Sequence, residues 1–145
     1  AITRVASWGT FKDLQSNKEF LMINTHFDHI GVEARKNSAA LLKQKASEIA
    51  KNLPLVITGD FNCTREDAPY STIMEPTGVK LSDPAPKDPP GTFCSFKVNS
   101  MECKGIDYIF HSPEWKSDTY QVIEDNDGKY YPSDHLPVMV RLTGK

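Results

Sequence analysis

Apolar and polar residues alternate along the first part of the chain with a period near two, which predicts strands. Ile2 to Trp8 shows the alternation, and Thr10 to Leu14 reads as a second strand or a continuation of the first. Ser16-Asn17-Lys18 signals a turn. Glu19 to His26 then reads as a mostly buried strand that ends in polar groups. From Val32 to Asn52 the period becomes helical. Ala34, Leu41, Leu42, Ala46, Ile49 and Leu53 recur on one face, while Lys36, Lys43, Lys45, Glu48 and Lys51 fill the other.

Beyond the helix, Leu55-Val56-Ile57 follows Pro54 as a buried strand, with Gly59 allowing a tight turn at its end. Asp60 and Asn62 lie two residues apart, so an extended backbone would send both side chains to the same side. Pro69 to Met74 predicts a short helix. Pro84 to Gly91 holds four prolines and predicts a surface loop. Thr92 to Lys97, Gly105 to Ser112, Ser117 to Glu124 and Leu136 to Leu142 read as further strands, with a turn at Asp125-Asn126-Asp127-Gly128. Strand, helix, strand, short helix and several strands make an α/β (α+β) chain with a mixed sheet and one long helix. No repeat, low-complexity tract or linker divides residues 1–145.

Composition narrows the classes. A chain of 145 residues is long enough for one domain with a real core. A formal charge of −2 gives no electrostatic footprint for tight nucleic-acid binding. No apolar run approaches a membrane-spanning length. The chain opens on Ala1 without an initiator Met, as a processed or excised chain does, so an export signal would go unseen and the compartment stays open. Cys63, Cys94 and Cys103 contain no C-x-x-C pair. Cys94 and Cys103 could bridge across a hairpin, but the expectation is three free thiols.

Four polar clusters follow apolar strands or their ends: Asn24-Thr25-His26-Phe27-Asp28-His29, Gly59-Asp60-Phe61-Asn62, Ile106-Asp107-Tyr108-Ile109-Phe110 and Ser133-Asp134-His135-Leu136-Pro137. Each part taken alone has a bland reading as a turn, a surface histidine or a paired structural acid. Together, and in this order, they resemble the endonuclease/exonuclease/phosphatase superfamily, which includes deoxyribonucleases, apurinic endonucleases, inositol-polyphosphate phosphatases, deadenylases and sphingomyelinases. The resemblance implies one α/β layer of a four-layered α-β-β-α sandwich and a magnesium-dependent phosphoester hydrolase, manganese being a possible substitute. By the same resemblance Asp60 orients or deprotonates the attacking water. Asn62 holds that water or a phosphate oxygen. His135 contacts the phosphate, with Asp107 accepting its other ring proton, and His26 stabilises the phosphate or protonates the leaving oxygen. Asp134 lies on the metal side. The general base is left open between Asp60 and His135.

The superfamily's upstream Asn and its principal metal-binding Glu have no counterpart before Trp8. That identifies residues 1–145 as the C-terminal portion of such a domain, nearly inactive alone, with an uncovered sheet face able to self-associate. The expected substrate is a small phosphoester, a phosphorylated sugar or a lipid head group ahead of duplex nucleic acid. Two other readings stand beside this one. Thr25-His26-Phe27-Asp28-His29-Ile30-Gly31 also resembles half of the metallo-β-lactamase zinc signature, although Asn24 stands at its first ligand position. A non-catalytic binding module on the same scaffold is the other. Asp28 and His29 are expected to serve the turn into the helix; Thr92-Phe93 resembles a family segment near the substrate, while Phe93 and Phe96 are expected in the core. Tyr130-Tyr131-Pro132 stacks on a substrate ring or packs a loop, and His111 is unrelated to the site.

Overall fold

The computed structural model describes residues 1–99 and 103–145. Strands β1 (Ala6–Lys12) and β2 (Glu19–His26) lead into helix α1 (Val32–Ala50), followed by β3 (Leu55–Asp60) and the short helix α2 (Ala68–Met74). Strands β4 (Asp107–His111), β5 (Trp115–Val122) and β6 (Val138–Gly144) complete the order. The main sheet runs β1-β2-β3-β4, and β5 pairs with β6 as a separate two-stranded sheet. Strands β2 and β3 are parallel, while β1·β2 and β3·β4 are antiparallel. A parallel pair needs a long crossover, and α1 supplies it. Among the described residues no helix is long and apolar enough to cross a membrane.

Period-two patterning sends Leu21, Ile23 and Thr25 of β2 toward the helices and leaves Met22, Asn24 and His26 on the opposite face. Leu55 and Ile57 of β3 join them, and Ala39, Leu42, Ala46 and Ala50 bring α1 down onto the sheet. Phe61 closes this core at the site end, with its ring centroid 4.8 Å from that of Phe27 and 5.2 Å from that of Phe110. A second, smaller core joins Cys94, Val122, Tyr131 and Leu136. The other face of the main sheet is partly covered: Val56 and His111 are buried, and Trp115 packs edge-on against Phe20.

Several expectations need correction. Strand β1 continues through Gly9, as one of the two readings had it, but takes only Ala6–Lys12 and leaves residues 2–5 and 13–14 outside. Thr92 to Lys97 is not a strand; Phe93 makes isolated bridges to Lys104 and His135, and Lys97 one to Tyr130. The Phe93–Lys104 bridge brings Cys94 and Cys103 to a Cα separation of 4.3 Å, and they form a disulfide rather than free thiols. Cys63 stays free and buried, and burial pushes its thiol up to about 12. Phe96 is exposed, not core. Gly59 sits inside β3 at φ +155°, where an added Cβ would lie 2.0 Å from the Thr25 carbonyl oxygen. The glycine therefore permits close β2–β3 approach and makes no turn.

On α1, Leu41 is 56% exposed while Lys43 is only 6% exposed. The Lys43 stem lies along the core, and its ammonium donates to the carbonyls of Ile73 and Glu75 at the end of α2. Those carbonyls have no partner within a short helix, so a charged donor there stabilises both α2 and its seat on α1. Lys43→Met keeps the volume and removes the donor. It should destabilise the fold by about 1–3 kcal/mol, read as a lower urea midpoint with an unchanged slope. Leu41→Lys, on the exposed side, should leave the midpoint nearly unchanged.

Candidate active site

Strand register assembles the site. His26 pairs with Asp60 across β2·β3, and Asp60 pairs with Asp107 across β3·β4. Directly opposed residues share a face, so the three side chains form one row at the rim of the sheet, away from α1. His26 Nε2 lies 3.1 Å from Asp60 Oδ2. One row inward, Asn24 Nδ2 donates to Thr58 Oγ1 at 2.8 Å, bracing the same rim.

His135 enters from the loop before β6. Its Nδ1 donates to Asp107 Oδ2 at 2.9 Å, and its Nε2 stands 3.9 Å from Asp60 Oδ2. The loop is held by Thr92-Phe93-Cys94, which runs antiparallel to it. Leu136 N donates to Thr92 O and Cys94 N to Asp134 O, and the Phe93 ring centroid is 4.9 Å from the imidazole. Asp107, His135, Asp60 and His26 thus form a continuous line of acid, base, acid and base.

Asn62 reaches Asp60 by a route other than an extended strand. Its φ of 47° is left-handed, a conformation asparagine tolerates, and β3 has already ended. Asn62 N donates to Asp60 Oδ1 at 2.8 Å, while Nδ2 donates to Phe27 O at 3.0 Å and Asp60 Oδ2 at 3.3 Å. With both amide hydrogens directed inward, the side-chain carbonyl is left as an acceptor, suited to water.

The electrostatics follow from this packing. Burial and the nearby Asp107 charge raise the Asp60 carboxyl above the usual range, against the hydrogen bond from Asn62 and the two histidines. Burial alone would lower His135, but the hydrogen bond to Asp107 and the charges of Asp107, Asp60 and Asp134 outweigh it and raise the imidazole. Asp60, Asp107 and His135 each offer a ligand atom, all within 4.8 Å of one another, a donor set able to hold a divalent cation.

The structure brings together His26, Asp60, Asn62, Asp107 and His135. Asp134 is not part of the Asp60, Asp107 and His135 group of possible metal ligands; its carboxylate accepts from Ser133 Oγ at 3.4 Å. Asp28 serves the turn into α1, accepting from the amides of Ile2, Ile30 and Gly31. His29 faces Arg4, and among the described residues the group of possible metal ligands is Asp60, Asp107 and His135, without the His26 and His29 that the zinc-hydrolase reading uses. Tyr131 packs the second core and Tyr130 is exposed. His111 is buried on β4 with its Nδ1 against Ser112 O. The sequence marks Thr92-Phe93 as a segment near the substrate but not its contact: the Thr92 hydroxyl donates to Asp107 Oδ2 at 2.6 Å across 15 residues. Nothing in its Gly-Thr-Phe context marks that partner. A cavity of about 380 Å³ lined by Arg65, Lys87, Lys104, Asp107 and Tyr120 opens beside the row.

Residues 4–135 match the profile of the Endonuclease/Exonuclease/phosphatase family. Among solved structures, a mannosyl-6-phosphatase from Bacteroides thetaiotaomicron is 38% identical with a TM-score of 0.82, over 97% of this chain and 57% of its own. A second protein from that organism, of the same family, is also 38% identical with a TM-score of 0.84, over 96% and 55%. A family protein from Bacteroides vulgatus is 34% identical with a TM-score of 0.86, over 98% and 56%. No curated protein matches the chain by sequence. The chain spans little more than half the length of the solved structures it resembles. Profile, fold and identity agree: the chain belongs to the Endonuclease/Exonuclease/phosphatase family.

Proposed function

We propose that the chain is the C-terminal portion of a magnesium-dependent phosphoester hydrolase acting on a small phosphorylated substrate, a phosphorylated sugar before a lipid head group or duplex nucleic acid. The observation that carries this reading is the line Asp107–His135–Asp60–His26 on one rim, hydrogen-bonded at its Asp107–His135 end and continued by acid–imidazole approaches of 3.9 and 3.1 Å. Hydrolysis of a phosphate ester needs an in-line water, neutralisation of the equatorial oxygens and a proton for the leaving oxygen. Asp60, with its raised pKa, takes a proton from the water as the new O–P bond forms. The Asn62 carbonyl orients that water. His135, whose charged form Asp107 favours, faces the phosphate oxygens. His26 gives its proton to the leaving oxygen as the ester bond breaks.

The donor set suits a hard divalent cation. Two carboxylates meet there, and Asp107 Oδ1 makes no hydrogen bond among the described residues. Asp60 and Asp107, with Asp134 from the adjoining loop, would hold magnesium, or manganese in its place, together with water and phosphate oxygens. When bound, the ion supplies charge neutralisation on the phosphoryl group. The net charge of −2 and the resemblance to a mannosyl-6-phosphatase support the choice of substrate class.

The test is a substrate panel on the intact parent protein with and without magnesium. The expected result is turnover of phosphorylated sugars that falls at least ~10²-fold in Asp60→Asn and His135→Gln, and near-silence of the isolated chain. Full-rate, metal-dependent turnover by the isolated chain would contradict the C-terminal-portion reading. No metal-dependent turnover by the parent would return the protein to a binding module.

Stability should also depend on pH in a defined direction. Asp60 and His135 both bind protons more tightly folded than unfolded. Their contributions are complete below the unfolded values of 3.8 and 6.5 and are lost as pH rises through the folded ones. Metal-free protein should therefore lose stability as pH rises from 6.5 through the folded pKa of His135, and His135→Gln should flatten that limb in thermal scans. A parallel pH profile for the two proteins would count against the pairing.

A further inference from the structure

We propose that Thr92 is a positioning residue for the hydrolysis, fixing the Asp107 carboxylate so that His135 presents Nε2 toward Asp60; this rests on the phosphoester-hydrolase reading. Thr92 is 1% exposed. Its hydroxyl has one hydrogen to donate and two lone pairs to accept with. The hydrogen goes to Asp107 Oδ2 at 2.6 Å, and the lone pairs meet the backbone amides of Ile106 at 3.1 Å and Asp107 at 3.2 Å. The Lys104 carbonyl also lies within reach at 3.3 Å, but the shorter approach to Asp107 Oδ2 takes the hydrogen, and every bonding position of the buried hydroxyl is filled.

The same carboxylate oxygen, Asp107 Oδ2, accepts from His135 Nδ1 at 2.9 Å. Thr92 thus restrains the oxygen that selects the tautomer and aim of the imidazole. The residue also holds His135 from the other side, because Thr92 O accepts from Leu136 N. A backbone and a side-chain bond from one residue bridge the strand that carries the acid and the loop that carries the base. Asp107 without this donor keeps its bond to His135 but gains freedom to rotate about its Cα–Cβ bond, carrying the imidazole with it. Misplacement of a reacting group by about 1 Å costs on the order of 10²-fold in rate.

Thr92→Val and Thr92→Ser in the parent protein test the role. Val keeps the branched shape without the hydroxyl; Ser keeps the hydroxyl without the methyl. The expected result is a kcat lower by ~10²-fold for Val with KM within about twofold, and most of kcat restored in Ser. A second readout is independent of turnover. The His135 Nδ1 proton, bonded to a carboxylate, should give a downfield proton resonance in the isolated chain that survives in Ser and is lost or broadened in Val. Should Val fail to fold, Thr92→Cys, which retains size and a weak donor, replaces it and should show an intermediate loss. Wild-type kcat and an unaltered resonance in Val would overturn the proposal, as would an equal loss of kcat in Ser and Val. A parent protein inactive on every phosphoester would sink the hydrolase reading, and the resonance would then decide the Thr92 contact alone.

Discussion

A carboxylate taken out of water at the rim of a sheet is the constraint around which this structure is arranged. Asp60 is mostly buried, and its carboxyl is raised by that burial. Isolated, such a group would neutralise itself or destabilise the fold. Here the two neighbouring strands and one loop each contribute a group to it: His26 from β2, Asp107 from β4 and His135 from the loop before β6. The Asn62 amide fills the remaining side. The two histidines and the Asn62 amide favour the ionised carboxylate, while burial and the neighbouring Asp107 charge oppose it and leave the carboxyl raised.

Register depends in turn on backbone that no side chain could replace. At Gly59 the parallel strands approach so closely that a Cβ would overlap the Thr25 carbonyl. One residue later comes Asp60, and two residues after that the chain turns left-handed at Asn62. The core beneath is aromatic, with Phe61 set against Phe27, Tyr108 and Phe110, which fixes where β3 ends. From the far side, the Thr92–Cys94 segment fastens the loop carrying His135, and the Cys94–Cys103 disulfide fastens that segment in turn.

Much of this was legible in the residues. Apolar stretches within Glu19–His26 and at Leu55-Val56-Ile57 announce buried strands, and α1 declares itself by length and spacing. The polar clusters closing those strands point to a site, since adjacent strand ends converge. What sequence could not supply was contact between distant segments. Lys43 looked solvent-facing because its partners are carbonyls, which leave no mark on composition. Thr92 to Lys97 reads as a strand through its aromatics, yet the left-handed backbone at Ser95 and Phe96 interrupts it, leaving isolated bridges at Phe93 and Lys97. The disulfide was hidden for the same reason, as its geometry depends on the Phe93–Lys104 bridge.

The central claim is that Asp107 and His135 act as one unit within a line that ends on Asp60 and His26. A double-mutant cycle in kcat/KM on the parent protein, combining Asp107→Ala with His135→Ala, tests it most directly. Groups that work as a unit give a double variant little worse than the more damaged single one. Two losses that simply multiply would mean that the acid and the imidazole act separately, and the line drawn through them would have no mechanistic meaning.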